Sequence, residues 1–130
     1  GAVRDPWLAE LDRPGSAREA ISGFFTRLGD FAAADRRQRG CLMGNSAVEL
    51  APHDPEVAAR LTAGFAAIEA GFLRALMRAR QQGEIGEGRD LRALARFLTA
   101  SLQGLLVIAK AVPDRALLEG MVDQILSVLE

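Results

Sequence analysis

The chain has 130 residues, 49% of them hydrophobic and 25% charged, which is the balance of one soluble domain with one core rather than a disordered tail. Its net charge of -1 provides no positive field to draw it onto nucleic acid or an anionic membrane. A single cysteine excludes an internal disulfide, and with a single histidine it cannot furnish a structural Cys/His zinc site.

This cysteine usage fits a reducing, cytoplasmic setting, and Gly1 to Asp5 has neither the basic start nor the apolar segment of a signal peptide. With no initiator methionine, the chain is expected to be a fragment or processed product forming one domain over residues 1–130.

Strand signals are nearly absent and helix starts recur, so the expected class is all-α, a bundle of about six helices. Asp5-Pro6 reads as a cap followed by proline at the first helical position, opening a short helix through about Asp12. Arg13-Pro14-Gly15 ends it. Ser16 and Glu19 have capping-box spacing, and the helix they open, to about Asp35, places Ile21, Phe24, Phe25, Leu28 and Phe31 on one arc. Arg36 to Arg39 is a basic connector. Cys41 to Ala51 is a short, mostly apolar helix on which Asn45 and Glu49 share a face.

Asp54-Pro55 starts the longest helix, to about Gln82, with Val57, Leu61, Phe65, Ile68, Phe72 and Leu76 at helical spacing. Gly64 and Gly71 within it suggest a close helix crossing, since each lowers helix propensity by roughly 1 kcal/mol. The Gly83 to Gly88 stretch is a turn. Its spacing is not that of a dinucleotide loop, and no strand precedes it.

Asp90 to Val112 organises the rest. As a helix it carries one apolar arc of Leu91, Leu94, Ala95, Leu98, Leu102, Leu105, Leu106 and Ala109. A second arc holds Ala93, Phe97, Ala100, Ser101, Gly104, Ile108 and Ala111. Arg92, Arg96, Thr99, Gln103 and Lys110 fill the narrow polar strip between them. Its uncharged run, Phe97 to Ala109, is shorter than the ~20 residues of a bilayer crossing, so no membrane span is expected. Pro113-Asp114 introduces the last helix, to about Leu129, half of whose circumference is apolar.

Two apolar arcs on one helix require two covering layers, and a chain this short is expected to find the second in another copy of itself. The seam is predicted at Phe97, Ser101, Gly104 and Ile108 with Leu118, Met121, Val122, Ile125 and Leu129, forming a symmetric dimer with a four-helix interface. Phe24, Phe25, Leu28, Phe31, Met43, Phe65 and Phe72 are candidates to line an apolar cavity, with Asn45, Glu49 and Glu69 as its polar anchors. The competing reading is a filled core in a helical dimerisation module without ligand.

Catalysis is not expected. His53 lies in a turn, Cys41 on an apolar helix, and a Glu49/Glu69 acid–base pair is the only enzymatic alternative. No Glu-x-x-His motif accompanies these carboxylates, so neither metal nor cofactor is predicted.

The pattern of RGCLMGNSAVELAPHDPEV at Arg39 to Val57, FAAIEAGFLRALMRARQQGEI at Phe65 to Ile85 and LARFLTASLQGLLVIAK at Leu94 to Lys110 resembles the C-terminal ligand-binding and dimerisation domain of TetR-type (TetR/AcrR) transcriptional regulators. The resemblance runs from about Ser16 onward. It implies that the last two helices form the dimer and the middle helices enclose a small-molecule effector, apolar or amphipathic. It also implies that operator DNA is read by an N-terminal helix-turn-helix part absent from this chain, released when the effector changes the separation of two reading heads.

Overall fold

The computed structural model describes residues 6–34, 53–112 and 114–130. The expected short helix at Cys41 to Ala51, the basic connector before it, and the site candidates Met43, Asn45 and Glu49 lie outside these residues. Among the described residues there are five α-helices and no strands: α1 (Pro6–Ala9), α2 (Ala17–Ala34), α3 (Pro55–Gln81), α4 (Leu91–Ala111) and α5 (Arg115–Leu126). Short 3₁₀ turns at Glu10–Asp12 and Ser127–Leu129 extend α1 and α5.

The helix starts follow from side chains that accept the free amides of the first turn. Asp54 accepts from Glu56 N at 3.0 Å and Val57 N at 3.3 Å, Asp90 from Ala93 N at 3.0 Å, and Asp114 from Leu117 N at 3.2 Å. The start of α2 is more than the local capping box. Ser16 Oγ accepts from Glu19 N at 3.1 Å, while Gln82 Oε1 and Glu84 Oε1 accept from Ala17 N and Arg18 N at 2.9 and 3.3 Å. Ser16 Oγ itself donates to Glu84 Oε2.

Those distant acceptors are aimed by the way α3 ends. Gly83 has φ +76°, Glu84 N donates to Ala79 O at 2.8 Å, and Gly83 N donates to Arg80 O at 3.1 Å. This is a Schellman ending, in which a left-handed residue lets two amides return to the last carbonyls.

Helix α3 lies along α4, while α2 is covered by α3, α4 and α5. The N-terminal turn rides on α3: Leu8 and Leu11 sit over Gly71, 3.8 and 3.5 Å from where a Cβ would be. Arg78 donates to the carbonyls of Leu11, Arg13 and Gly15 at 3.0, 2.6 and 3.3 Å, so the chain entering α2 is held by α3. At the other end, Arg89 donates to Val128 O at 2.7 Å and Glu130 O at 3.2 Å.

The first apolar arc of α4 is buried in its entirety, from Leu91 to Ala109. By length and composition the helix could cross a membrane, with an 18-residue window of mean hydropathy 1.4, although its uncharged run is short. In this fold the apolar content is divided between the buried arc and an outer one.

That outer arc remains open: Phe97 is 44% exposed and Ile108 37%, Ser101 is half-buried, and a Cβ on Gly104 would meet nothing within 4 Å. The terminal helix corrects part of the expected seam. Leu118, Val122, Ile125 and Leu129 are turned into the protomer's own core, with Leu118 fully buried, because α5 packs on α2 through that edge. Val122 Cγ2 comes so near Gly29 that a Cβ there would stand 3.1 Å away. What α5 offers outward is the adjacent stripe, Leu117, Gly120 and half-buried Met121.

Candidate functional site

The aromatic residues expected around a cavity do not act together. Phe24, Phe25 and Phe72 are buried against one another, with Phe25 stacked on Phe72 at 5.6 Å and 15° and Phe24 edge-on to both at 5.4 and 5.5 Å. Leu28 is buried in the same cluster. Offset and edge-to-face rings at these distances fill space closely, so these four residues are the centre of the core and not the wall of a described cleft. Phe31 faces outward at 49% exposure, against Trp7 at 5.6 Å.

Phe65 and Glu69 do converge. On α3 they flank Ala66, opposite Arg96, Thr99, Ala100 and Gln103 of α4, and these seven residues line a largely apolar cleft of about 480 Å³. Small side chains at Ala66 and Ala100 leave the gap between otherwise well-packed helices. At its mouth Glu69 Oε1 accepts from Arg96 Nε at 3.1 Å, and its other oxygen lies 3.6 Å from Arg92. These exposed pairs contribute roughly 0–1 kcal/mol each, and their main effect is to neutralise the carboxylate. Thr99 donates its hydroxyl to Ala95 O at 2.8 Å, leaving little polarity free in the cleft.

Gln103 is the exception. No polar residue as a whole is buried among the described residues, yet both Gln103 amide atoms, Nε2 and Oε1, are sealed from solvent without a hydrogen-bond partner. An unmet buried polar group costs about 1–3 kcal/mol. Helical periodicity places Gln103 in the solvated strip, whereas in the structure its amide atoms are buried. Glu69, as an acid–base candidate, is bound to two arginines, and its proposed partner Glu49 lies outside the described residues. Among the described residues no group of three or more His, Cys, Asp or Glu gathers to hold a metal ion, and His53 is an exposed turn residue.

The model of the tetracyclin repressor-like C-terminal domain matches residues 15–125. The chain belongs to that family. A relative from Bacillus subtilis (strain 168), the uncharacterised HTH-type transcriptional regulator YezE, is 40% identical over 124 residues, covering 95% of this chain and 64% of the relative. A cysteine mutant of the TetR family transcriptional regulator CifR, solved in complex with 26-base-pair double-strand operator DNA, superposes with a TM-score of 0.81 at 27% identity. That match covers 93% of this chain and 63% of CifR. This tetracyclin repressor-like domain thus spans slightly under two thirds of the length of these two regulators.

Proposed function

We propose that this chain is the effector-binding and dimerisation part of a DNA-binding transcriptional regulator, most simply a repressor. Such a regulator acts in the compartment that holds the DNA, which is the cytoplasm in a bacterium. The observation that carries the reading is an apolar face left uncovered on the two helices that would pair in a four-helix seam: Phe97, Gly104 and Ile108 on α4 beside Leu117 and Met121 on α5. Large exposed apolar patches on soluble domains mark association surfaces, and a two-fold arrangement covers this one with itself. Operator DNA is then contacted by a separate helix-turn-helix part, a reading supported by the operator DNA bound in the matched CifR structure and by the HTH-type description of the Bacillus subtilis relative.

The α3/α4 cleft is the place we assign to a small apolar or amphipathic effector. It is an open groove between two helices, largely apolar and with few polar groups, a lining of the usual make-up for such ligands. A thermal-shift screen of apolar and amphipathic compounds tests this reading. Binding to the folded state raises the melting temperature by mass action, and stabilising compounds should lose their effect when Ala66→Trp fills the gap. A broad screen without a stabilising compound, or stabilisation unaltered by Ala66→Trp, contradicts the assignment.

A further inference from the structure

We infer that the α3/α4 cleft takes a neutral amphiphile whose polar group offers a hydrogen-bond donor and acceptor side by side, as a carboxamide or lactam does, and that Gln103 reads that group. This rests on the effector reading of the cleft and adds the chemistry of the ligand.

The lining itself narrows the choice. Its charged members, Glu69 and Arg96, are bonded to each other at 3.1 Å, so the cleft has no net lining charge with which to recruit an ion. The Thr99 hydroxyl is already donated into its own helix. What remains is one side chain with both a donor and an acceptor unmet, Gln103 Nε2 and Oε1. The complement of that pair is another donor–acceptor pair at amide spacing, joined in two parallel hydrogen bonds.

Gln103 lines the cleft with both amide atoms shielded from solvent, so reading a ligand requires its side-chain torsions to turn as the ligand enters. A ligand offering both bonds satisfies a group that is otherwise unpaired, whereas a ligand offering only a carbonyl leaves Gln103 Oε1 unmet. Phe65, Ala66 and Ala100 supply the apolar surface for the ligand's hydrocarbon body.

The test uses octanamide and its isostere heptyl methyl ketone, which differ only in an NH₂ group replaced by CH₃. Each is titrated into the isotope-labelled chain and into Gln103→Met, an uncharged variant of similar length, while the backbone resonances of Ala66, Thr99 and Ala100 are followed. Octanamide should bind about tenfold more tightly than the ketone to the unsubstituted chain, both should shift the cleft resonances, and Gln103→Met should abolish the difference by weakening octanamide alone. Equal affinities with cleft shifts would overturn the ligand class and leave the cleft as a ligand site. Absence of cleft shifts with either probe would overturn the effector reading and this inference with it. A Gln103→Met variant that changes dimer dissociation but not the amide preference would assign the amide to the subunit contact and overturn its role in the cleft.

Discussion

Gly29 of α2 lies directly under Val122 of α5: a Cβ built on the glycine would stand 3.1 Å from Val122 Cγ2. This contact fixes which edge of the terminal helix turns inward. Gly29→Leu should therefore lower the free energy of unfolding by about 1–3 kcal/mol, the usual cost of overpacking a core, and Val122→Ala should recover part of that loss. Urea denaturation of the two single variants and the double variant measures the coupling. Strictly additive effects would mean that the two residues are not in contact.

Ile125 belongs to the same inward edge, at 8% exposure. Ile125→Glu should unfold the protomer rather than merely part a dimer, because an unpaired carboxylate would be placed in the core. Loss of the helical circular-dichroism signal at every protein concentration is the expected result. A folded monomer would instead return Ile125 to the subunit seam.

The ring cluster at the core makes Phe72 a stability residue. With no exposed surface and two aromatic neighbours near 5.5 Å, Phe72→Ala should cost roughly 3–5 kcal/mol by chemical denaturation. A loss below about 1 kcal/mol accompanied by weakened ligand binding would make Phe72 a cavity wall instead.

Glu84 links stability to pH. The hydrogen bond from the Ser16 hydroxyl, with further help from the Arg18 and Ala17 amides, holds its carboxyl below the ordinary glutamate range, against a smaller opposing effect of burial. The folded pKa is lower than the unfolded one, so the contribution is present above the unfolded value and lost as pH falls through the folded value. Glu84→Gln should flatten the loss of stability on the acid side of the ordinary glutamate range and leave the alkaline side unchanged. Thermal melts from mildly acidic to strongly acidic buffer that overlay for the two proteins would exclude this linkage.

Local sequence carries much of this fold, and its limits are physical. The Asp-capped starts of α3, α4 and α5 are short-range events, and the inward arc of α4 is long and regular enough to identify every member from Leu91 to Ala109. Helix α5 is different. Apolar residues cover half its circumference, so periodicity allows either 118-122-125-129 or the neighbouring stripe to face inward, and the choice is made by Gly29 on another helix. Ser16 and Glu19 have the spacing of a closed local motif, yet the acceptors that complete the start of α2 come from Gln82 and Glu84, placed there by the left-handed Gly83. Gln103 looks solvated on a helical wheel, yet tertiary packing buries both of its amide atoms. Phe24, Phe25 and Phe72 look alike to a cavity or a filled core until the ring geometry is known.

In the reading proposed here, two copies of this chain share the outer face of α4 and α5. Sedimentation equilibrium of the chain beside Phe97→Glu and Leu117→Glu tests it most directly, since both substitutions place charge on exposed positions that the protomer's own fold tolerates. The unsubstituted chain should sediment at twice 13.9 kDa and each variant as a folded monomer. An unsubstituted chain that remains a folded 13.9 kDa species across the accessible concentrations, or two variants that stay dimeric, would contradict it.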